Sequence, residues 1–182
     1  MKAIASMSLG ELAAFVCSHL QTHGINCVLT GGACVSIYTG NRYQSYDLDF
    51  IESAPTSRKK LKEALTKLGF VEENRYFKHV ATEFFLEFPA GPLSIGSEPV
   101  RATAVMEFST GKLVLLSPTD CVKDRLAAYY HWSDRQALGQ ALLVAENNEI
   151  NIEEIRVWSE KEDKLATFES IKKQLIEAQR HY

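Results

Sequence analysis

The spacing of apolar and polar positions changes several times along the chain. From Ser8 to Gly24, apolar residues recur at helical spacing (Leu9, Leu12, Ala13, Val16, Leu20). Ser8 stands at the cap and Glu11 at the capping-box position, so the spacing predicts a helix closed by Gly24. Residues 25–30 form a short, mostly apolar run, the pattern of a buried strand, and residues 31–40 read as a short helix entered through two glycines. Residues 46–51 (YDLDFI) alternate strictly, with Asp47 and Asp49 on one face and Leu48 and Phe50 on the other. Residues 56–69 are amphipathic, capped by Thr56 or Ser57 and ended by Gly69.

Strand-like runs follow at residues 81–88, stopped by Pro89, and at 92–96, 101–108 and 112–117. Turns at PAGP, GSEP and STG join them. From Pro118 onward the period is helical, in four segments: 117–132, 133–148, 151–162 and 167–181. The pattern therefore predicts an α+β protein: a mixed-sheet domain flanked by helices over residues 1–117, and a helical C-terminal region packed on it over residues 118–182. There is no internal repeat and no low-complexity segment.

Composition changes this picture little. The chain has 182 residues, 46% hydrophobic and 24% charged, which is ordinary for a globular protein. A net charge of −3 provides no overall electrostatic footprint for nucleic acid. No run of eighteen or more apolar residues exists, so no membrane-spanning helix is expected. Glu11 interrupts the only apolar block near the N-terminus, which argues against a signal peptide. Cys17, Cys27, Cys34 and Cys121 lack Cys-x-x-Cys spacing and sit in apolar contexts. They are expected to be buried thiols in a reducing cytoplasm.

Candidate chemistry concentrates between Val28 and Phe50. Aspartate is depleted from strands because it suits a pleated, half-buried surface badly. Residues two apart on a strand point the same way, roughly 6.5–7 Å apart. Two carboxylates placed so can converge on one hard cation or bracket two, and Mg²⁺ is held by one or two carboxylates plus substrate phosphates. Gly31 and Gly32, between a strand and a helix, let the backbone approach a ligand closely, at a helix end that favours phosphate. Neither G-x-x-x-x-G-K-[ST] nor G-x-G-x-x-G occurs, which excludes a P-loop and leaves a dinucleotide fold without its fingerprint.

The glycine pair followed by R-x-x-S-x-D-x-D-F (Gly31, Gly32, Arg42, Ser45, Asp47, Asp49) resembles the polymerase-β-type nucleotidyltransferase superfamily. The nearest likeness is to its small bacterial branch, the AbiEii-type and minimal nucleotidyltransferases. The resemblance implies that the glycines hold a nucleoside triphosphate and that Asp47 and Asp49 bind two Mg²⁺ (or Mn²⁺) ions. It also implies a third carboxylate from a later strand. Glu87 is the first candidate, and Glu83, on the same face four residues earlier, is the second. A looser likeness over residues 123–138 assigns Lys123 or Arg125 as a basic group, and Asp134 as a carboxylate, facing the nucleotide.

The activity implied is Mg²⁺-dependent transfer of a nucleoside monophosphate from an NTP to a hydroxyl on a protein, an RNA such as tRNA, or a small molecule. The alternative is a module of the same fold that binds without turnover, as an antitoxin or regulatory partner. A homodimer or a toxin–antitoxin pair would be the matching assembly.

Other features have plainer readings. His19 and His23 lack the glutamate of H-E-x-x-H and a third ligand, so they predict no metal site. Arg58, Lys59, Lys60 and Lys62 read as a solvated helix face. Asp120 reads as a first-turn residue, and Lys123, unless recruited to the site, as solvated. Tyr129, Tyr130 and Trp132 are expected in the core.

Overall fold

A computed structural model describes residues 2–180. Among these residues, seven α-helices and nine strands follow a short 3₁₀ turn at Ile4–Ser6. The order is α1 (Leu9–Thr22), β1 (Cys27–Thr30), α2 (Gly31–Tyr38), β2 (Asp47–Glu52), α3 (Arg58–Thr66), β3 (Val71–Glu73), β4 (Tyr76–Lys78) and β5 (Phe85–Glu87). Then come β6 (Ser94–Ile95), β7 (Glu98–Pro99), β8 (Thr103–Phe108), β9 (Gly111–Leu116), α4 (Pro118–Trp132), α5 (Arg135–Asn147), α6 (Ile152–Lys161) and α7 (Leu165–Gln179). The α+β class expected from the pattern is the class observed. The last helix was expected to reach His181, which lies outside the described residues.

Seven strands form one mixed sheet in the order β3-β4-β5-β2-β1-β9-β8. β1 and β2 pair antiparallel, whereas β2 pairs with β5, and β1 with β9, in parallel. The remaining pair, β6–β7, is a separate antiparallel hairpin.

The chain divides into two compact units. The first comprises the chain up to Ala33, Ser45–Leu93 and Thr103–Leu115; the second comprises Cys34–Gln44, Ser94–Ala102 and the chain from Leu116 onward. In the first, Ser8 caps α1 through a full capping box with Glu11. That helix buries Leu9, Leu12, Ala13, Val16 and Leu20, and it packs on α3, β1 and β8. Leu48 and Phe50 of β2 are fully buried while Asp47 and Asp49 are not, so the alternation read from the sequence is the alternation of the strand.

In the second unit, α4 packs on α5 and α6, and α7 on α5 and α6, around Val144, Trp158, Phe168 and Leu175. Three expectations fail here, the first being Tyr129, which is only half-buried rather than in the core. Trp132 is 76% exposed rather than in the core, because α4 ends there and Ser133 turns the chain in a left-handed conformation. Lys123 is 3% exposed rather than solvated, for reasons given below. All four cysteines are buried free thiols.

Candidate active site

The first unit gathers Gly31, Gly32, Ser45, Asp47, Asp49 and Glu87 on the β1–β2–β5 part of the sheet and its flanks. The register explains why. Thr30 of β1 lies opposite Asp49 of β2, and Asp49 lies opposite Glu87 of β5. Opposite residues share a face, and neighbouring strands are about 4.8 Å apart, so Asp49 and Glu87 are adjacent on one face. Asp47, two residues before Asp49, shares that face. The hydroxyl of Thr30 donates to the Asp49 carbonyl at 3.2 Å, which ties the row together.

On this face the backbone of Gly31 and the carboxylate of Asp49 lie so close that no side chain fits between them. Gly31 opens α2 with a φ of +67°, a left-handed conformation in which a Cβ is costly. A Cβ there would also stand 2.5 Å from Oδ2 of Asp49. Glycine is therefore required twice, for its backbone and for the space that the carboxylate fills. Asp47 is oriented differently: the Ser45 hydroxyl donates to its Oδ1. Glu87 Oε1 meets Nε of Arg75 at 3.1 Å. Arg75 is a residue the sequence reading did not single out. Its signal was the two-residue Asn74-Arg75 link between β3 and β4, a pair of short strands that the pattern also missed.

These residues suit a divalent cation. Two half-buried carboxylates on one strand face offer hard oxygen donors, and the space kept by Gly31 leaves the backbone close to Asp49. Among the described residues no three acidic, imidazole or thiol groups gather into a ready-made cage. Mg²⁺ does not require one, because it keeps waters and completes its octahedron with phosphate oxygens. In this arrangement Asp47 and Asp49 are the carboxylates beside the Gly31 turn, and Glu87 is engaged by Arg75. Glu83, the other candidate for the third carboxylate, precedes β5 and is not part of it.

The other sequence candidates lie in the second unit, each committed to its own partners. Arg42 is exposed and pairs with Glu146 at 3.2 Å. Arg125 holds Asp124 through Nε at 3.0 Å and reaches Gln140 at 3.3 Å. Burial opposes its charge, but Asp124 outweighs burial and raises its pKa. Asp134 caps α5, accepting from the backbone N–H groups of Gln136 and Ala137. Lys123 donates to Asp120 at 3.2 Å and to Glu154 at 2.5 Å. Burial pulls its pKa down, and the two carboxylates outweigh that and raise it. These partners are what permit a lysine to be buried. Its cluster lines a cavity of about 120 Å³ together with Glu98, Arg101 and Trp158.

No protein-family model matches the chain, and no curated protein matches it. Solved structures do. An antigenic nucleotidyltransferase-like protein from Paracoccidioides brasiliensis is similar over 93% of this chain and 94% of that one, with a TM-score of 0.58 at 15% identity. ANT(2″)-Ia in complex with adenylyl-2″-tobramycin is similar over 89% of this chain and 97% of that one, with a TM-score of 0.51 at 14% identity. The likeness is one of fold, and the fold of this chain is nucleotidyltransferase-like.

Proposed function

We propose that the protein transfers a nucleoside monophosphate from an NTP to an acceptor hydroxyl, using a divalent cation held by Asp47 and Asp49. The observation that carries this reading is the Gly31–Asp49 contact beside Asp47. It places a left-handed glycine with no room for a Cβ next to two same-face carboxylates, on a nucleotidyltransferase-like fold. Such a glycine is what a backbone needs in order to approach phosphate closely. Carboxylates beside phosphate repel it unless a cation intervenes.

In this reading the acceptor oxygen forms a bond to the α-phosphorus while the bond to the bridging oxygen breaks. Pyrophosphate leaves with the electron pair, and the acceptor proton passes to a carboxylate of the face, for which Glu87 is the candidate. Mg²⁺, when bound, supplies charge neutralisation for the attacking and leaving oxygens. The protein itself contributes positioning: Gly31 and Gly32 seat the phosphates, and Ser45 fixes the rotamer of Asp47. Arg42, Lys123, Arg125 and Asp134 enter as nucleotide contacts by family resemblance alone. The same holds for the AbiEii-type branch and a toxin–antitoxin or homodimeric assembly.

A hydroxyl-bearing small molecule is the acceptor class to test first, because a structural neighbour is seen with an adenylylated small molecule. Incubation with each α-labelled NTP, Mg²⁺ or Mn²⁺ and fractionated cell extract tests the reading. Label moving to a small molecule, protein or RNA supports transfer and identifies the acceptor. Cation-dependent NTP binding without any transfer favours the module that binds without turnover.

A further inference from the structure

The Arg75–Glu87 pair joins the β3–β4 hairpin to the carboxylate face. Arg75 is 70% exposed by its side chain, and an exposed arginine has no need of a fixed position. Yet this one is delivered to the carboxylate face by several independent devices. It occupies the two-residue link between β3 and β4, where Asn74 takes a left-handed φ of 58°. The carbonyl of Arg75 accepts from Nη2 of Arg58 at 3.1 Å, while Arg58 Nε holds Glu72 at 2.8 Å and its guanidinium lies over the Phe77 ring at 4.6 Å. Tyr76 stands opposite Glu87 in the antiparallel β4–β5 register, so the residue beside Arg75 is locked to the very residue that Arg75 pairs with. The guanidinium also lies over the Tyr76 ring, at 4.9 Å.

The electrostatics of the face explain what such a cation is for. Asp47, Asp49 and Glu87 share one face of two adjacent strands, and like charges so placed repel one another when no cation lies between them. Arg75 reaches this row through Glu87, at 3.1 Å.

We propose that Arg75 is a resident counter-cation of the carboxylate face, which holds Glu87 aside while no divalent ion is bound and releases it when an ion arrives. This rests on the cation-binding reading of Asp47 and Asp49 and deepens it. Ion binding is then an exchange: the Arg75–Glu87 pair breaks, and Glu87 turns to the ion or to its waters. Arg75 acts through Glu87 and is a positioning residue. The exchange makes the nucleotide-free protein a weaker cation binder than its three carboxylates alone would be. Once Glu87 has turned away, the guanidinium is free to meet the negative charge of the incoming triphosphate.

The test is binding of Mn²⁺ alone, without nucleotide, followed by electron paramagnetic resonance or calorimetry. Arg75→Ala is expected to bind Mn²⁺ about threefold to fivefold more tightly than wild type, the scale of an exposed ion pair. Arg75→Lys, which keeps the charge, should stay near wild type. Lys78→Ala removes a positive charge from the same hairpin, but one that pairs with Glu73 at 2.8 Å, and should change little. In a Glu87→Gln background the Arg75→Ala effect should vanish, as a double-mutant cycle requires of a direct pair.

Weaker Mn²⁺ binding in Arg75→Ala would overturn the proposal, because Arg75 would then be holding Glu87 in its ligating pose. An equal gain in Lys78→Ala, or a gain that persists with Glu87→Gln, would overturn it in favour of simple long-range charge. Wild-type Mn²⁺ binding that Asp49→Asn abolishes, with no gain from Arg75→Ala, leaves the cation site standing and rejects the role of Arg75. Absence of Mn²⁺ binding in both wild type and Arg75→Ala rejects both.

Discussion

The carboxylate face of the first unit and the Lys123 cluster of the second arrange charge in opposite ways. Asp47, Asp49 and Glu87 are half-buried, lie on one face of two neighbouring strands, and are crowded by like charge. Lys123 is buried, surrounded by opposite charge from Asp120 and Glu154, and closes an ion cluster in its own unit. The first arrangement gathers like charge, which a cation would relieve; in the second, opposite charges already meet. A repelling cluster is the signature of a site, and a satisfied one is the signature of structure. On this contrast, mutations in the two places should separate function from stability.

The largest effect is expected from Asp49→Asn. The substitution keeps the shape of the side chain and removes one charge from the face. If Asp49 helps hold the ion, label transfer should fall by roughly 10²–10⁴-fold, since metal-ion stabilisation of the transferring phosphoryl group is worth several kcal/mol. In EDTA the same variant should melt no lower than wild type, because repulsion has been relieved. Mg²⁺ with NTP should raise the wild-type melting temperature by mass action, and the variant should lose most of that rise. A variant that melts lower in EDTA yet shifts fully with Mg·NTP would erase the contrast, making Asp49 a structural hydrogen-bond partner.

Lys123→Ala tests the other side of the contrast. It leaves Asp120, with a side chain 14% exposed, facing Glu154, which is about half exposed, with no cation between them. Breaking a fully buried pair costs about 3–5 kcal/mol; the half-exposed Glu154 can turn to water, so about 2–3 kcal/mol is expected in urea unfolding. Lys123→Met, which restores the volume and the apolar stem, should recover part of that only if packing contributes. A loss below about 0.5 kcal/mol would mean that the cluster is not structural, and the lysine would then be a candidate for ligand contact in its cavity.

Gly31→Ala lies where the two sides of the contrast meet, because its glycine serves both the backbone and the carboxylate. The left-handed φ alone costs about 1–2 kcal/mol for an alanine. The new Cβ must also displace Oδ2 of Asp49, so affinity for Mg·NTP should fall about tenfold or more, beyond what the stability loss explains. Calorimetric titration of the folded fraction separates the two. Unchanged affinity at reduced stability would leave the glycine a turn residue and nothing more.

How far the sequence alone reached follows from the same physics. The face was legible because aspartates alternating with apolar residues have one natural reading, a strand with a polar face, and β2 has that pattern. The α1 cap was legible because Ser8 and Glu11 act within one turn. Arg75 was not legible: it pairs with Glu87, twelve positions away along the chain, and precedes a strand as short as the one before it, too short to show a period. The burial of Lys123 was hidden for a similar reason, since Glu154 lies on another helix and no local pattern reports it. Residues 81–84 read as the start of a strand stopped by Pro89, yet only Phe85–Glu87 finds a partner in register, with β2 and β4. Local period was sufficient wherever the contacts are local, and the partner of Glu87 lies beyond that range.

The smallest expected effect comes from a carboxylate of the second unit, Glu162, which is held by several partners. Glu162, whose side chain is 7% exposed, accepts from the backbone N–H of Ser97 at 2.7 Å and from its hydroxyl at 2.5 Å, and lies 3.5 Å from Nε2 of His131. This fastens the β6–β7 hairpin to the end of α6, and Gly96 leaves the room that Glu162 needs. Burial pushes the carboxyl pKa up, but the Ser97 hydroxyl, the Ser97 N–H and His131 outweigh burial and hold it below the ordinary carboxylate range. A carboxyl whose folded pKa is depressed adds stability that is fully present above its unfolded pKa, near 4.3, and is lost as pH falls through the folded value. Glu162→Gln should therefore cost about 1 kcal/mol at neutral pH and remove part of the acid-side decline in wild-type stability below about pH 4.5. Ser97→Ala, which keeps the backbone donor and loses the hydroxyl, should fall between the two. Urea unfolding of the three proteins from pH 7 to pH 3 measures this. Curves that stay parallel throughout would show that Glu162 titrates alike in the folded and unfolded chains, and the second unit's claim to satisfied charge would then rest on Lys123 alone.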